Sequence, residues 1–139
     1  MKEGDWKNHI GGYFLCMDIT DHGVLKKDPQ AMTFWKGQDT FTPIHKFIDP
    51  MDIKDPHNLD LKLIVNNEDR VQGNTGQMVY KIGKMMEMIS HYMKLETGDL
   101  ILTGTPVPPG TIVAGDQVHV SMSESGNLLS EFKIVVEEI

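Results

Sequence analysis

Hydrophobic and polar residues alternate in three parts of the chain and recur at helical spacing in a fourth. In "GYFLCMDIT", from Gly12 to Thr20, Tyr13, Leu15, Met17 and Ile19 fall on one side of an extended segment, with Phe14, Cys16, Asp18 and Thr20 on the other. Both sides stay largely apolar until Asp18. That pattern predicts a strand buried on two faces whose second face turns polar at its C-terminal end. In "LDLKLIVNNEDRVQG", Leu59, Leu61, Leu63 and Val65 alternate, and Asn66-Asn67-Glu68-Asp69 then supplies turn chemistry, which predicts a hairpin. In "DQVHVSMSESGNLLSEFKIVVEEI", Val118, Val120 and Met122 lead into "ESGN", and Phe132, Ile134 and Val136 lead back, which predicts a second, terminal hairpin.

The period changes in "TGQMVYKIGKMMEMISHYMKL". Met78, Ile82, Met85, Met86, Ile89 and Met93 recur at helical spacing, with Lys81, Lys84, Glu87 and His91 mostly between them. Thr75 is placed to cap the start and Gly98 lies past the end, so the spacing predicts one long amphipathic helix packed on a sheet by its Met/Ile stripe. "DLILTGTPVPPG" reads as a short buried strand that breaks into a Gly/Pro loop. Residues 21–50 carry Pro29, Pro43 and Pro50 with no sustained period, and read as a long loop region with short extended pieces. The sum is one β-rich α+β domain over residues 1–139, with residues 1–10 as a lead-in segment.

Composition narrows the picture little. At 139 residues, 40% hydrophobic and 24% charged, the chain can bury a core of its own. No apolar run approaches the roughly 20 residues of a membrane helix, and "MKEGDWKNHI" shows no targeting pattern. The net charge of −7 would repel a phosphate backbone, so no nucleic-acid partner is expected. Cys16 is the single cysteine, cannot form an internal disulfide, and suits a reducing compartment.

Several chemistries have no residues to carry them. There is no zinc-spaced Cys or His set, no Gly-x-Ser-x-Gly elbow and no Walker loop, and the glycines around "GNTG" lack dinucleotide-site spacing. The six histidines are scattered. What remains is Asp18 at a strand end, Lys36, and the loop Gly104-Thr105-Pro106.

The order of "GGYFLCMDIT", "DPHNLDLKLIVN", "GNTGQMVY" and "LETGDLILTGTP" resembles the C-terminal part of the fumarylacetoacetate hydrolase family, in its acylpyruvase or oxaloacetate decarboxylase branch. The resemblance runs from about Gly11 to the C-terminus. It implies a mixed β-roll with the family's N-terminal portion missing, and a mitochondrial location, otherwise a cytoplasmic one. Active members cleave or decarboxylate small 2-oxo acids on Mg²⁺ or Mn²⁺, held by a Glu-x-Glu pair and one Asp. On that pattern Asp18 matches the third metal ligand, Lys36 the lysine that holds the substrate carboxylate, and Thr105 the threonine that hydrogen-bonds substrate oxygen.

The departures matter as much. No Glu-x-Glu occurs, and Glu3-Gly4-Asp5 lies too close to Asp18 to replace it. The family's water-activating His and Glu are absent. Where it reads Ser/Thr-Ala-Arg-Asp-x-Gln, this chain has Thr20, Asp21, His22, Gly23, Val24 and Leu25. Gly37-Gln38 replaces Ser-Phe after the lysine, and Pro108-Pro109 stands where a glycine is usual. One carboxylate does not hold Mg²⁺. The expectation is therefore a family homologue with an incomplete site, Asp18 vestigial and no cofactor bound. Such a chain serves as a non-catalytic structural or interaction subunit, in a homo- or hetero-oligomer where a partner covers the "GGYFLCMDIT" strand. The alternative is a Mg/Mn-dependent acylpyruvate hydrolase or oxaloacetate decarboxylase, completed by another chain or a longer gene product.

Overall fold

The computed structural model describes residues 1–138. Its centre is a four-stranded antiparallel sheet made from the two predicted hairpins: β1 (Asp60–Val65), β2 (Glu68–Asn74), β3 (Gln117–Glu124) and β4 (Asn127–Val135), in the order β2-β1-β3-β4. Each hairpin closes through two residues with positive φ, Asn66 (50°) and Asn67 (67°) in the first, Ser125 (51°) and Gly126 (82°) in the second. Two consecutive left-handed residues match the twist of the flanking strands, which is why Asn and Gly stand there. Leu63 lies opposite Val120, and Val120 opposite Phe132, so the predicted alternation lines up across three strands.

The inward face of that sheet is the core. Leu63, Val65, Val71, Val118, Val120 and Met122 are buried on it, joined by Leu15, Ile48, Ile53 and Leu59 from the loops above. The inward row of β3 ends at Glu124, which is 8% exposed. Its carboxylate accepts the backbone N–H groups of Asp55 (2.8 Å) and Lys54 (3.3 Å), so a buried acid ties the 53–58 loop to the sheet.

Four expectations change. The "GYFLCMDIT" segment is not a regular strand: it touches 41–48 through bridges at Tyr13–Ile48 and Cys16–Ile44. Tyr13 and Ile48 exchange both backbone bonds, but Met17 donates to the carbonyl of Pro43, which has no N–H to return. Residues 21–50 contain two short helices, α1 (His22–Lys27) and α2 (Met32–Lys36). The long helix is shorter than its period suggests, with α3 covering Ile82–Tyr92 only. Before it, Asn74 and Gln77 form a reciprocal capping box around a single 3-10 turn, Thr75–Gln77, and that turn ends the first stretch. Thr75 is no cap: its hydroxyl takes the N–H of Leu59 and donates to the carbonyl of Pro56. Finally, 99–105 is no strand among the described residues, and Leu100 (51%) and Leu102 (38%) are exposed.

The partner of α3 also differs. The helix docks on the 3-10 segment Glu3–His9, where Trp6 sits over Gly83 so closely that a Cβ there would lie 2.5 Å from Cδ1 of Trp6. Of the Met/Ile stripe Met86 is buried, Ile82, Met85 and Ile89 are half-buried, and Met93 is exposed.

Candidate functional site

Asp18 and Lys36, 18 residues apart, meet in space. Lys36 Nζ lies 2.7 Å from Asp18 Oδ1 and 3.4 Å from the Asp18 carbonyl oxygen. The chain between them makes this possible. Asp21 caps α1 by accepting the N–H groups of Gly23 (2.7 Å) and Val24 (3.0 Å). Its backbone N–H donates to the carbonyl of Trp35 (2.9 Å), which folds α2 back on the end of the 13–19 segment. The amide of Gln38 then bridges the Asp21 carboxylate (3.0 Å) and the Phe34 carbonyl (2.9 Å). The N–H of Val24, the Gln38 amide and the N–H of Gly23 hold the Asp21 carboxyl below its ordinary value. Asp21 is thus the organiser of this corner. In the sequence Asp21 stands out only as a neighbour in an altered motif, although an Asp ahead of a short amphipathic run is an N-cap signal.

Thr105 follows Gly104, whose φ of +91° turns the loop. The Thr105 hydroxyl donates to the Val107 carbonyl at 3.1 Å. A second glycine seats the loop from below. A Cβ on Gly73 of β2 would stand 2.8 Å from Pro106 Cγ and 3.1 Å from Val107 Cγ2. The "GNTGQ" motif therefore meets the "GTPV" motif, a contact that no spacing in the chain foretold.

Asp18, Lys36, Gly104 and Thr105 all line one open groove of about 2780 Å³. Along its wall the backbone of 13–19 is paired on one side alone. Tyr13, Met17 and Ile19 donate toward 41–48, and Tyr13 and Leu15 accept from it. The N–H groups of Phe14, Cys16 and Asp18 have no partner among the described residues, so this extended segment has one unpaired edge. The Cys16 thiol is pushed above its ordinary value by burial first and by Asp18 second, which makes it a poor nucleophile.

These residues do not suit a divalent ion by themselves. Among the described residues no three His, Cys, Asp or Glu side chains converge, and the Asp18 carboxylate is engaged by an ammonium group. Mg²⁺ and Mn²⁺ need several oxygen ligands in fixed geometry. The donor set among the described residues is too small.

Comparison with known proteins agrees with the motifs. A mitochondrial oxaloacetate tautomerase of Schizosaccharomyces pombe is 35% identical over 99% of this chain and 65% of its own length. A bifunctional isomerase/decarboxylase of 4-hydroxyphenylacetate degradation from Escherichia coli is 34% identical over 99% of this chain and 32% of its own. Among solved structures, a yeast fumarylacetoacetate hydrolase family protein superposes with a TM-score of 0.90 at 30% identity, covering 99% of this chain and 59% of that one. The maleylpyruvate hydrolase of Sphingobium sp. SYK-6, in complex with manganese (II) ion and pyruvate, gives 0.83 at 31% identity, covering 99% and 48%. The chain therefore spans between about a third and two thirds of the relatives it matches. With residues 2–133 matching the model of the fumarylacetoacetate (FAA) hydrolase C-terminal domain, this chain belongs to the fumarylacetoacetate hydrolase family.

Proposed function

We propose that this chain carries the substrate-holding half of a 2-oxo-acid site, and that the carboxylates needed to grip Mg²⁺ or Mn²⁺ come from polypeptide outside residues 1–138. The observation that carries this reading is the Asp18–Lys36 contact of 2.7 Å; Gly104 and Thr105 lie along the same broad groove. Lys36 Nζ brings three donors, so an incoming carboxylate can compete with Asp18 for it. The Thr105 hydroxyl can swing from the Val107 carbonyl to a substrate oxygen and donate where negative charge collects as a carbon–carbon bond breaks. The relatives named above as tautomerase, decarboxylase and hydrolase, one of them holding pyruvate and manganese, support an enzymatic role in this class. The mitochondrial tautomerase supports that compartment.

Calorimetry with oxalate tests the half-site. We expect heat at millimolar oxalate that Lys36→Met abolishes, and no turnover of oxaloacetate or acetylpyruvate by this chain alone with added Mg²⁺ or Mn²⁺. Silence in the calorimeter dismisses the half-site. Turnover by the isolated chain that Asp18→Ala removes overturns the division into two halves.

A second reading draws on the open edge at 13–19, whose outward N–H groups have no partner among the described residues. It makes the chain a structural or interaction subunit without turnover, the edge covered by a partner strand. Light scattering separates the two: a stable monomer counts against the subunit, and an assembly that ignores oxalate favours it.

A further inference from the structure

His57 lies far along the chain from Asp18, Lys36 and Thr105, and has no part in the proposed chemistry. Its position is unusual for a histidine. Nε2 accepts the backbone N–H of Ile82, the first residue of α3, at 3.1 Å. Lys81, the residue that precedes the helix, offers no side-chain cap. A ring 25 positions earlier in the chain therefore does the work of an N-cap. A ring nitrogen that accepts carries no proton, so the neutral ring holds its hydrogen on Nδ1, which faces Asp55 Oδ1 at 4.0 Å.

The same ring also touches the N-terminal segment. The Trp6 indole packs against it with centroids 5.6 Å apart. Trp6 in turn rests on Gly83, one residue into the helix. The loop that carries His57 is anchored below, because the His57 N–H donates to Asp55 (2.9 Å) and the Asp55 N–H donates to buried Glu124 (2.8 Å). Three pieces of chain thus converge on one imidazole: residues 3–9, the 53–58 loop and the start of α3.

We infer that His57 is an acid-sensitive latch, whose neutral ring caps α3 and holds residues 1–10 against it, and whose protonation releases both. A proton on Nε2 would point at the Ile82 N–H, turning an acceptor into a second donor at the positive end of a helix. The charges around the ring set the direction. Burial acts first and Lys81 and Lys7 add to it, while Asp55 pulls the other way; together they hold His57 below its ordinary value. A histidine with a depressed folded value is fully favourable above its free value of about 6.5, and loses that contribution as pH falls below it. Opening should therefore rise up to roughly tenfold per pH unit across that window. Met1, Asn8, His9 and Ile10 line the end of the groove, so release of the segment would widen the groove beside Gly11 and Gly12.

Amide hydrogen exchange on the full chain, corrected for intrinsic rates, tests this between pH 7.5 and 5. The expected result is a loss of protection at the Ile82 amide and across residues 3–9 on acidification below the free histidine value, steepening to no more than about tenfold per pH unit, while β1 and β3 stay protected. His57→Gln keeps an acceptor near Nε2 without a titrating ring, and should flatten the dependence. Equal protection of the wild type at both pH values overturns the latch, and so does a His57→Gln protein with the same acid response. Should that variant not fold, ¹⁵N shifts of the wild-type ring decide. Titration below the free value from an Nδ1–H tautomer supports the latch, and titration at or above that value ends it.

Discussion

The sheet and the groove wall of this domain both carry apolar residues, yet the sheet buries its inward row while the wall leaves several exposed. In the sheet, Val65 and Val118 are each 1% exposed. On the groove wall, Phe14, Ile44, Phe47, Leu100 and Leu102 are all exposed. The difference is where the partner lies. Each sheet strand meets its neighbour through a two-residue turn or across β1–β3, all within the described chain. The segments 13–19 and 99–105 have one neighbour or none among the described residues; Leu15 still reaches the core, but Phe14, Leu100 and Leu102 stay exposed. In this molecule the sheet strands find their partners within the described chain, whereas the groove wall is only partly paired among the described residues.

Stability measurements can break that comparison. Leu59, 3% exposed, sits in the core above the sheet, and Leu59→Ala should cost about 3 kcal/mol through lost burial and a residual cavity. Leu100→Ala, at a half-exposed position, should change stability by no more than about 0.5 kcal/mol. Urea midpoints read both. If the two cost the same, the groove is covered in solution and the contrast fails.

Glu124→Ala comes next. It leaves the N–H groups of Lys54 and Asp55 without an acceptor in a nearly dry place, at a cost of about 2 kcal/mol. Glu124→Gln keeps one acceptor oxygen and should lose about half of that. Equal losses for the two variants would mean that packing at this position, rather than the two backbone bonds, ties the loop to the sheet.

Legibility in the sequence follows the same division. The hairpins could be read because period and turn chemistry are local, and Asn66-Asn67 and Ser125-Gly126 carry the turn in their own residues. The helix was overread because Met78 keeps the period while the Asn74–Gln77 box has already closed a separate turn. The run at 99–105 reads as a strand because it is apolar, but an apolar run says nothing of a pairing partner, and none pairs with it among the described residues. Of the candidates that the motifs single out, Asp18 and Lys36 meet in space, while Thr105 bonds to Val107 in the loop after Gly104 and lines the same broad groove. Asp21 as organiser and Gly73 as the seat of the Thr105 loop were out of reach, because both depend on contacts between segments distant in the chain.

Gly73 sharpens the comparison where the two regions touch. A methyl group there would press on Pro106 and Val107, so Gly73→Ala should cost about 1 kcal/mol of stability and lift the Thr105 loop. Oxalate affinity should fall about fivefold for a displacement worth that same 1 kcal/mol. Unchanged affinity beside lowered stability would detach Thr105 from ligand binding while leaving its place in the fold intact.

The smallest expected change in stability belongs to the pair at the centre of the proposed site. Lys36 and Asp18 are 30% and 49% exposed at their side chains, and ion pairs so open to water contribute between nothing and about 1 kcal/mol. Lys36→Met keeps the length and much of the apolar stem, so its urea midpoint should stay within about 0.5 kcal/mol of the wild type. Oxalate heat should nonetheless disappear, because the ammonium is the charge that draws the dianion. A residue kept for packing would show the reverse, a lost midpoint and a retained ligand. Asp18→Asn is the matching control. It frees Lys36 from its competitor, so oxalate should bind more tightly to this chain alone, and weaker binding would mean that the carboxylate already takes part in holding the ligand.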